Sequence, residues 1–160
     1  MRAAIADKAH IKQVYRALEM FKPEVLEEIK PKLLKPEPVF YDTVLLPQLL
    51  KKFCELKNVP EKLLIGVRNG RESVQLKRLF IGVIIKLYDP QLLTRIHSEV
   101  MKHKLRAEMA KLMTTDRSWI SQVANDIITQ LNPHNSKLAF EDYRSEVNRL
   151  SKVLEIEFSK

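Results

Sequence analysis

Apolar residues recur along this chain at the spacing of helix faces. Ile11, Val14, Tyr15, Leu18 and Phe21 mark a first helix within residues 3–21. Pro23 can open a second, with Val25, Leu26, Ile29 and Leu33 inward. The stretch KPEPVFYD (35–42) then breaks the pattern at Pro36 and Pro38. It separates an N-terminal helical hairpin of unknown role, residues 1–40, from the remainder, residues 41–160. Asp42 or Thr43 is placed to cap the next helix, which carries Pro47 near its first turn and Leu49, Leu50, Phe53 and Leu56 on its inner face.

Beyond Pro60 the pattern predicts a short helical turn, Glu61–Ile65, and a basic loop, GVRNGRE (66–72). Ser73–Tyr88 reads as a strongly apolar helix with Val74, Leu79, Phe80, Val83, Ile84 and Leu87 buried. Pro90 starts another, running through Leu92, Leu93, Ile96 and Val100 to His103. NPHNS (132–136) interrupts the chain and supplies a cap for a last helix. In that helix Phe140, Tyr143, Val147, Leu150 and Leu154 alternate spacings of three and four. The expected fold is all-α, a helical bundle of roughly seven to eight helices.

The most informative stretch is KLRAEMAKLMTTDRSWISQVANDIITQL (104–131). Leu105, Met109, Leu112 and Met113 share one helix face, and Ile120, Val123, Ile127 and Leu131 share another. The polar turn Thr114-Thr115-Asp116 joins them, with small Ala110 at the crossing. That layout is a helix-turn-helix, in which the second helix enters a DNA major groove. Thr114 or Thr115 can cap the second helix and leave amides for a phosphate. Asp116, Arg117, Ser118 and Trp119 open it, where recognition helices meet base edges. The alternative is a pair of helices joined for packing alone, with Trp119 plugging the core and the basic residues in solvent.

Charge adds to this picture. The chain has 160 residues with a formal net charge of +8, which suits a polyanionic partner. Its three glycines, beside many Leu, Ile, Lys and Glu, favour helix over sheet. The single cysteine, Cys54, lies in an apolar helical pattern, has no partner for an internal disulfide and reads as a small core residue. No leader-like segment is read ahead of the first helix, and no apolar run reaches the ~18 residues of a membrane span. A cytoplasmic protein without membrane contact is expected. His10, His97, His103 and His134 form no metal-ligand spacing with Cys54, and the pairs Glu27-Glu28 and Glu141-Asp142 read as solvated charges. Nothing resembles a Ser-His-Asp set or a GxxxxGK[ST] phosphate loop, so no catalysis, cofactor or metal is expected.

From about Leu63 to Leu154 the chain resembles the C-terminal DNA-binding domain of the bacterial replication initiator DnaA, which carries a Trp-repressor-like helix-turn-helix. RESVQLKRLFIGVIIKL (71–87) is similar to that domain's arginine-containing entry and long helix, and AFEDYRSEVNRL (139–150) to its closing helix. The family's signature, Arg-Asp-His-Thr-Thr-Val, falls on Thr115-Asp116-Arg117-Ser118-Trp119-Ile120. The resemblance implies that Asp116 faces base edges or braces a neighbour. It implies that Arg117, at the histidine position, reads guanine, and that Ser118 touches a phosphate or a thymine. Arg68 and Arg71 would reach the minor groove from the basic loop, and Lys77 or Arg78 would hold backbone phosphate. Thr115 replaces the signature arginine, and Trp119 one threonine, which implies a different target sequence.

The expected function is non-catalytic binding of double-stranded DNA in transcription or replication control, in a phage or mobile element. Arg117, Ser118 and Asp116 would sit in the major groove, with Trp119 in the same leading turn. Arg68, Arg71, Lys104 and Arg106 would hold backbone or minor groove. The alternative is a structural or protein-interaction module, such as a virion or assembly component. Residues 1–60 would serve a protein partner or self-association.

Overall fold

The computed structural model describes residues 13, 16–17, 19–20, 22, 24–25, 36–66, 70–93, 101–131 and 139–159. The chain divides into two compact units, Met1–Lys35 and Pro36–Lys160. In the first, Gln13, Arg16, Ala17, Glu19, Met20, Glu24 and Val25 are helical; the expected pairing of two helices there lies outside the described residues. The second unit starts at Pro36, ahead of the expected Tyr41. The reason is local: the Val39 and Phe40 amides donate to the Leu87 carbonyl at 2.8 and 3.1 Å, and the Phe40 ring lies 5.8 Å from that of Tyr88.

Among the described residues of this second unit there are six α-helices and no strand. They are α1 (Leu46–Lys57), α2 (Lys62–Ile65), α3 (Arg71–Tyr88), α4 (His103–Leu112), α5 (Arg117–Leu131) and α6 (Ala139–Phe158). The fold is an all-α bundle, as the hydrophobic spacing predicts. Asp42, rather than Thr43, provides the cap ahead of α1: its Oδ1 accepts from the Val44 amide at 3.0 Å and starts a 3-10 turn, Thr43–Leu45. Pro47 then occupies the first turn of α1, where a missing N–H costs nothing.

Helix α3 is the axis of the bundle. It packs against α2, α5 and α6, and Leu79, Phe80, Ile81, Val83, Ile84, Ile85 and Leu87 are all buried. A helix apolar on every side belongs in a core. Phe80 meets Phe53 of α1 edge-on at 5.2 Å. On α6, Val147, Leu150 and Leu154 are fully buried, with Tyr143 and Phe158 partly so against the same core. Gly82 lets α6 approach α3 closely: a Cβ there would lie 2.5 Å from the Tyr143 hydroxyl.

One expected helix differs at both of its described ends: Pro90–Leu93 is a 3-10 turn, and Lys102 (ψ 129°) stands outside the helix that starts at His103. Buried Asp89 joins these two ends, its Oδ2 accepting from the Lys102 amide at 3.2 Å. Residues 94–100, including Ile96 and Val100, and the NPHNS segment lie outside the described residues.

Candidate nucleic-acid interface

Helices α4 and α5 form the expected corner. Leu105, Met109, Ala110 and Met113 are buried from one side, and Ile120, Val123, Ala124, Ile127 and Leu131 from the other. The chain leaves α4 through a left-handed Thr114, φ 52°. The Thr114 amide donates to the Lys111 carbonyl at 3.3 Å and the Thr115 amide to the Ala110 carbonyl at 2.9 Å. This is the Schellman arrangement, usually closed by glycine. Thr114 therefore ends the first helix and does not cap the second. The Ile120 amide donates to the Asp116 carbonyl at 3.1 Å, which makes Asp116 the residue from which α5 starts.

Two basic side chains expected on the nucleic acid brace this corner from within. Lys77 is 4% exposed. Its Nζ donates to the Gly66 carbonyl at 2.9 Å and to the Met113 carbonyl at 3.4 Å, and burial lowers the pKa of the amine. It is not a surface hand for phosphate, because two backbone acceptors hold it inside. Arg106 is half-buried on α4; its Nη1 donates to Ser121 Oγ at 2.9 Å, and that hydroxyl donates to the Arg117 carbonyl at 3.0 Å. The chain of bonds ties α4 to the first turn of α5. Trp119 is half-buried and packs on the hydrophobic core, so its ring anchors the helix that the next residues present.

Five other expected residues stand outward. Asp116, Arg117 and Ser118 are exposed, as are Lys104 and Arg71. Arg78 is half-buried, and its Nη1 lies 3.4 Å from Asp126 Oδ2 of α5. Arg68 lies outside the described residues. Thr114, Thr115, Asp116, Arg117 and Ser118, together with Lys77, Glu108 and Lys111, line an open cleft of about 1010 Å³ at the turn. Its charges are mixed: exposed Lys111 and Arg117 stand there with exposed Asp116 and half-buried Glu108.

Sequence reasoning stopped at the first turn of α5 and missed the rest of its outer face. Ser118, Gln122, Asn125 and Thr129 are all exposed at spacings of four, three and four. The signal was present in the sequence as the polar complement of Ile120, Val123, Ile127 and Leu131. Asp126 is the one acidic residue of α5, and Arg78 pairs with it.

Elsewhere, the Cys54 thiol is buried and pushed up to about 11 by desolvation, with Glu61 adding to the shift; a thiol so placed is inert. Among the described residues no three His, Cys, Asp or Glu side chains gather as metal ligands, and no helix is long and apolar enough to cross a membrane. No protein-family model, curated protein or solved structure matches the chain.

Proposed function

We propose that this chain is a non-catalytic, double-stranded DNA-binding protein that inserts the leading end of α5 into the major groove. One observation carries the reading: Asp116, Arg117 and Ser118 are exposed at the start of a helix whose corner is locked by Lys77 and Arg106. A reading head needs side chains in solvent on a backbone that does not move. The net charge of +8 supplies attraction to phosphate whatever the sequence, and the fork of Arg117 matches guanine O6 and N7. The resemblance to the DnaA C-terminal domain supports the same use of this helix, in replication or transcription control. A single, buried Cys54 suits the reducing cytoplasm.

The test is a gel-shift salt series on wild type and on an Arg117→Ala, Ser118→Ala double variant. Wild-type affinity should fall steeply with salt. The double variant should lose sequence preference and keep a salt-sensitive residue of binding. Unchanged binding of both kinds would remove α5 from the interface. The second reading is a protein-interaction or assembly module. Tyr41 and Val44, 73% and 72% exposed and three residues apart, favour it, since large apolar side chains in solvent invite a partner. Such a module would bring a protein with it on purification and ignore duplex DNA.

A further inference from the structure

The outer face of α5 differs in kind from the other long solvent-facing helix. On α6 the exposed positions include Glu141, Asp142, Arg149, Lys152, Glu155 and Glu157, the charged surface that keeps a helix soluble. On α5 the exposed stripe is Ser118, Gln122, Asn125 and Thr129, all uncharged and all able to hydrogen-bond. Ser, Asn and Thr are poor helix formers, so an exposed helix gains no stability from them. The carboxylate within this helix, Asp126, is paired with Arg78 at 3.4 Å, which offsets its charge beside the stripe, while Asp116 stands exposed just ahead of the helix.

We infer that α5 reads adenine in duplex DNA through the carboxamides of Gln122 and Asn125, with Ser118 set one turn ahead of them. This rests on the DNA-binding reading above and adds the chemistry by which bases are told apart. A carboxamide offers a donor and an acceptor side by side, which matches adenine N6 and N7 in the major groove and fits guanine poorly. Ser118 and Asn125 are seven residues apart, a rise of about 10 Å along the helix. That spans about three base pairs at 3.4 Å each. The helix thus offers Arg117 for a guanine in its first turn, about 100° around the axis from Ser118, and two adenine readers along the stripe. The occupant is duplex DNA by charge complementarity: the chain carries a formal net charge of +8, and exposed Lys111 and Arg117 stand at the leading end of the stripe, outnumbering exposed Asp116 there.

The experiment uses the full chain. Wild type is first taken through selection from a randomised duplex library. Affinity for the enriched duplex and for a scrambled one is then measured for wild type, Gln122→Ala, Asn125→Ala and Gln122→Ala/Asn125→Ala. Wild type should enrich a site holding adenine within about three base pairs of a guanine. Each single variant should lose about ten-fold in discrimination between the two duplexes. Salt dependence should not move, because no charge changes. Both positions are exposed, so thermal melting should match wild type. Duplex binding with discrimination intact in the double variant overturns the adenine assignment and leaves the DNA-binding reading standing, as does a selection that enriches no site. Failure of wild type to bind any duplex at low salt overturns both.

Discussion

The Nζ of Lys77 lies 3.4 Å from the carbonyl oxygen of Met113, thirty-six residues away in sequence and at the exit of the first helix of the corner. The same amine donates to Gly66 at 2.9 Å, so one side chain of α3 joins the end of α2 to the turn. A cation at a helix C-terminus answers the free carbonyls there. Lys77→Met should keep the packing volume and leave both carbonyls without this donor. A loss of about 1–2 kcal/mol in denaturant melts is expected. Amide exchange should speed up at Thr114 and Thr115 more than in α6. Equal effects at both places would mean that Lys77 supports the whole core and not the turn.

Gly82 is the point where α3 and α6 nearly touch. A methyl there meets the Tyr143 hydroxyl at 2.5 Å and Val147 Cγ2 at 3.2 Å, while that hydroxyl donates to the Arg78 carbonyl at 3.0 Å. Gly82→Ala gains helix propensity of about 1 kcal/mol yet must push a well-packed ring aside. Net destabilisation of about 1–2 kcal/mol is expected, because overpacking outweighs propensity. Tyr143→Phe removes the atom that is struck. In a double-mutant cycle it should recover part of the loss, and strict additivity would rule out this contact as the cause.

Thr114 and Asn58 both adopt φ 52° at helix exits with matching hydrogen bonds. Asparagine tolerates that region; a β-branched residue does not. Thr114→Gly should therefore stabilise the protein by about 1 kcal/mol despite the greater freedom glycine gives the unfolded chain. Asn58→Gly should change stability by less. A melting temperature that falls with Thr114→Gly would show that the threonine side chain contributes more at the turn than its backbone strain costs.

Glu146 on α6 joins two partners. Arg149 Nε donates to one oxygen at 2.9 Å, and Lys57 Nζ of α1 to the other at 2.9 Å. The Arg149 hydrogen bond is the main cause that holds the carboxyl down at about 2, with Lys57 assisting. The folded state thus binds this proton less tightly than the unfolded chain does. The stabilisation is complete above the ordinary carboxylate range and fades as pH falls from about 4.5 towards 2. Solvent reaches both ends of the pair, so Glu146→Gln should cost only about 1 kcal/mol at pH 7. The cost should shrink across that acid window. A difference from wild type that stays constant down to pH 2 would contradict the assignment.

Much of the frame is legible in the sequence because it is local. The corner between Met113 and Asp116 follows from two apolar faces that change phase across a polar turn, and α6 follows from a single stripe. What escapes sequence reading depends on partners far along the chain. Lys77 sits in an apolar helix and looks like a surface cation until Gly66 and Met113 turn carbonyls toward it. Arg106 and Ser121 are fifteen residues apart on different helices. Asp89 likewise reaches the Lys102 amide thirteen residues on, a contact that periodicity does not encode.

Arg78 offers a way to separate a residue that holds DNA from one that prepares the surface. Its partner Asp126 is 63% exposed and lies next to Asn125 on the proposed reading helix. Arg78→Ala would leave that carboxylate unpaired on the face meant to approach phosphate. Duplex affinity should fall several-fold at low salt, and the deficit should narrow as salt screens the repulsion. If neutralising Asp126 is the role of Arg78, then adding Asp126→Asn to Arg78→Ala should restore affinity to the wild-type level. Were Arg78 itself a phosphate ligand, the double variant would stay weak and the salt slope would drop by about one. Anisotropy titrations of wild type and these two variants against one duplex, at two salt concentrations, distinguish the two outcomes.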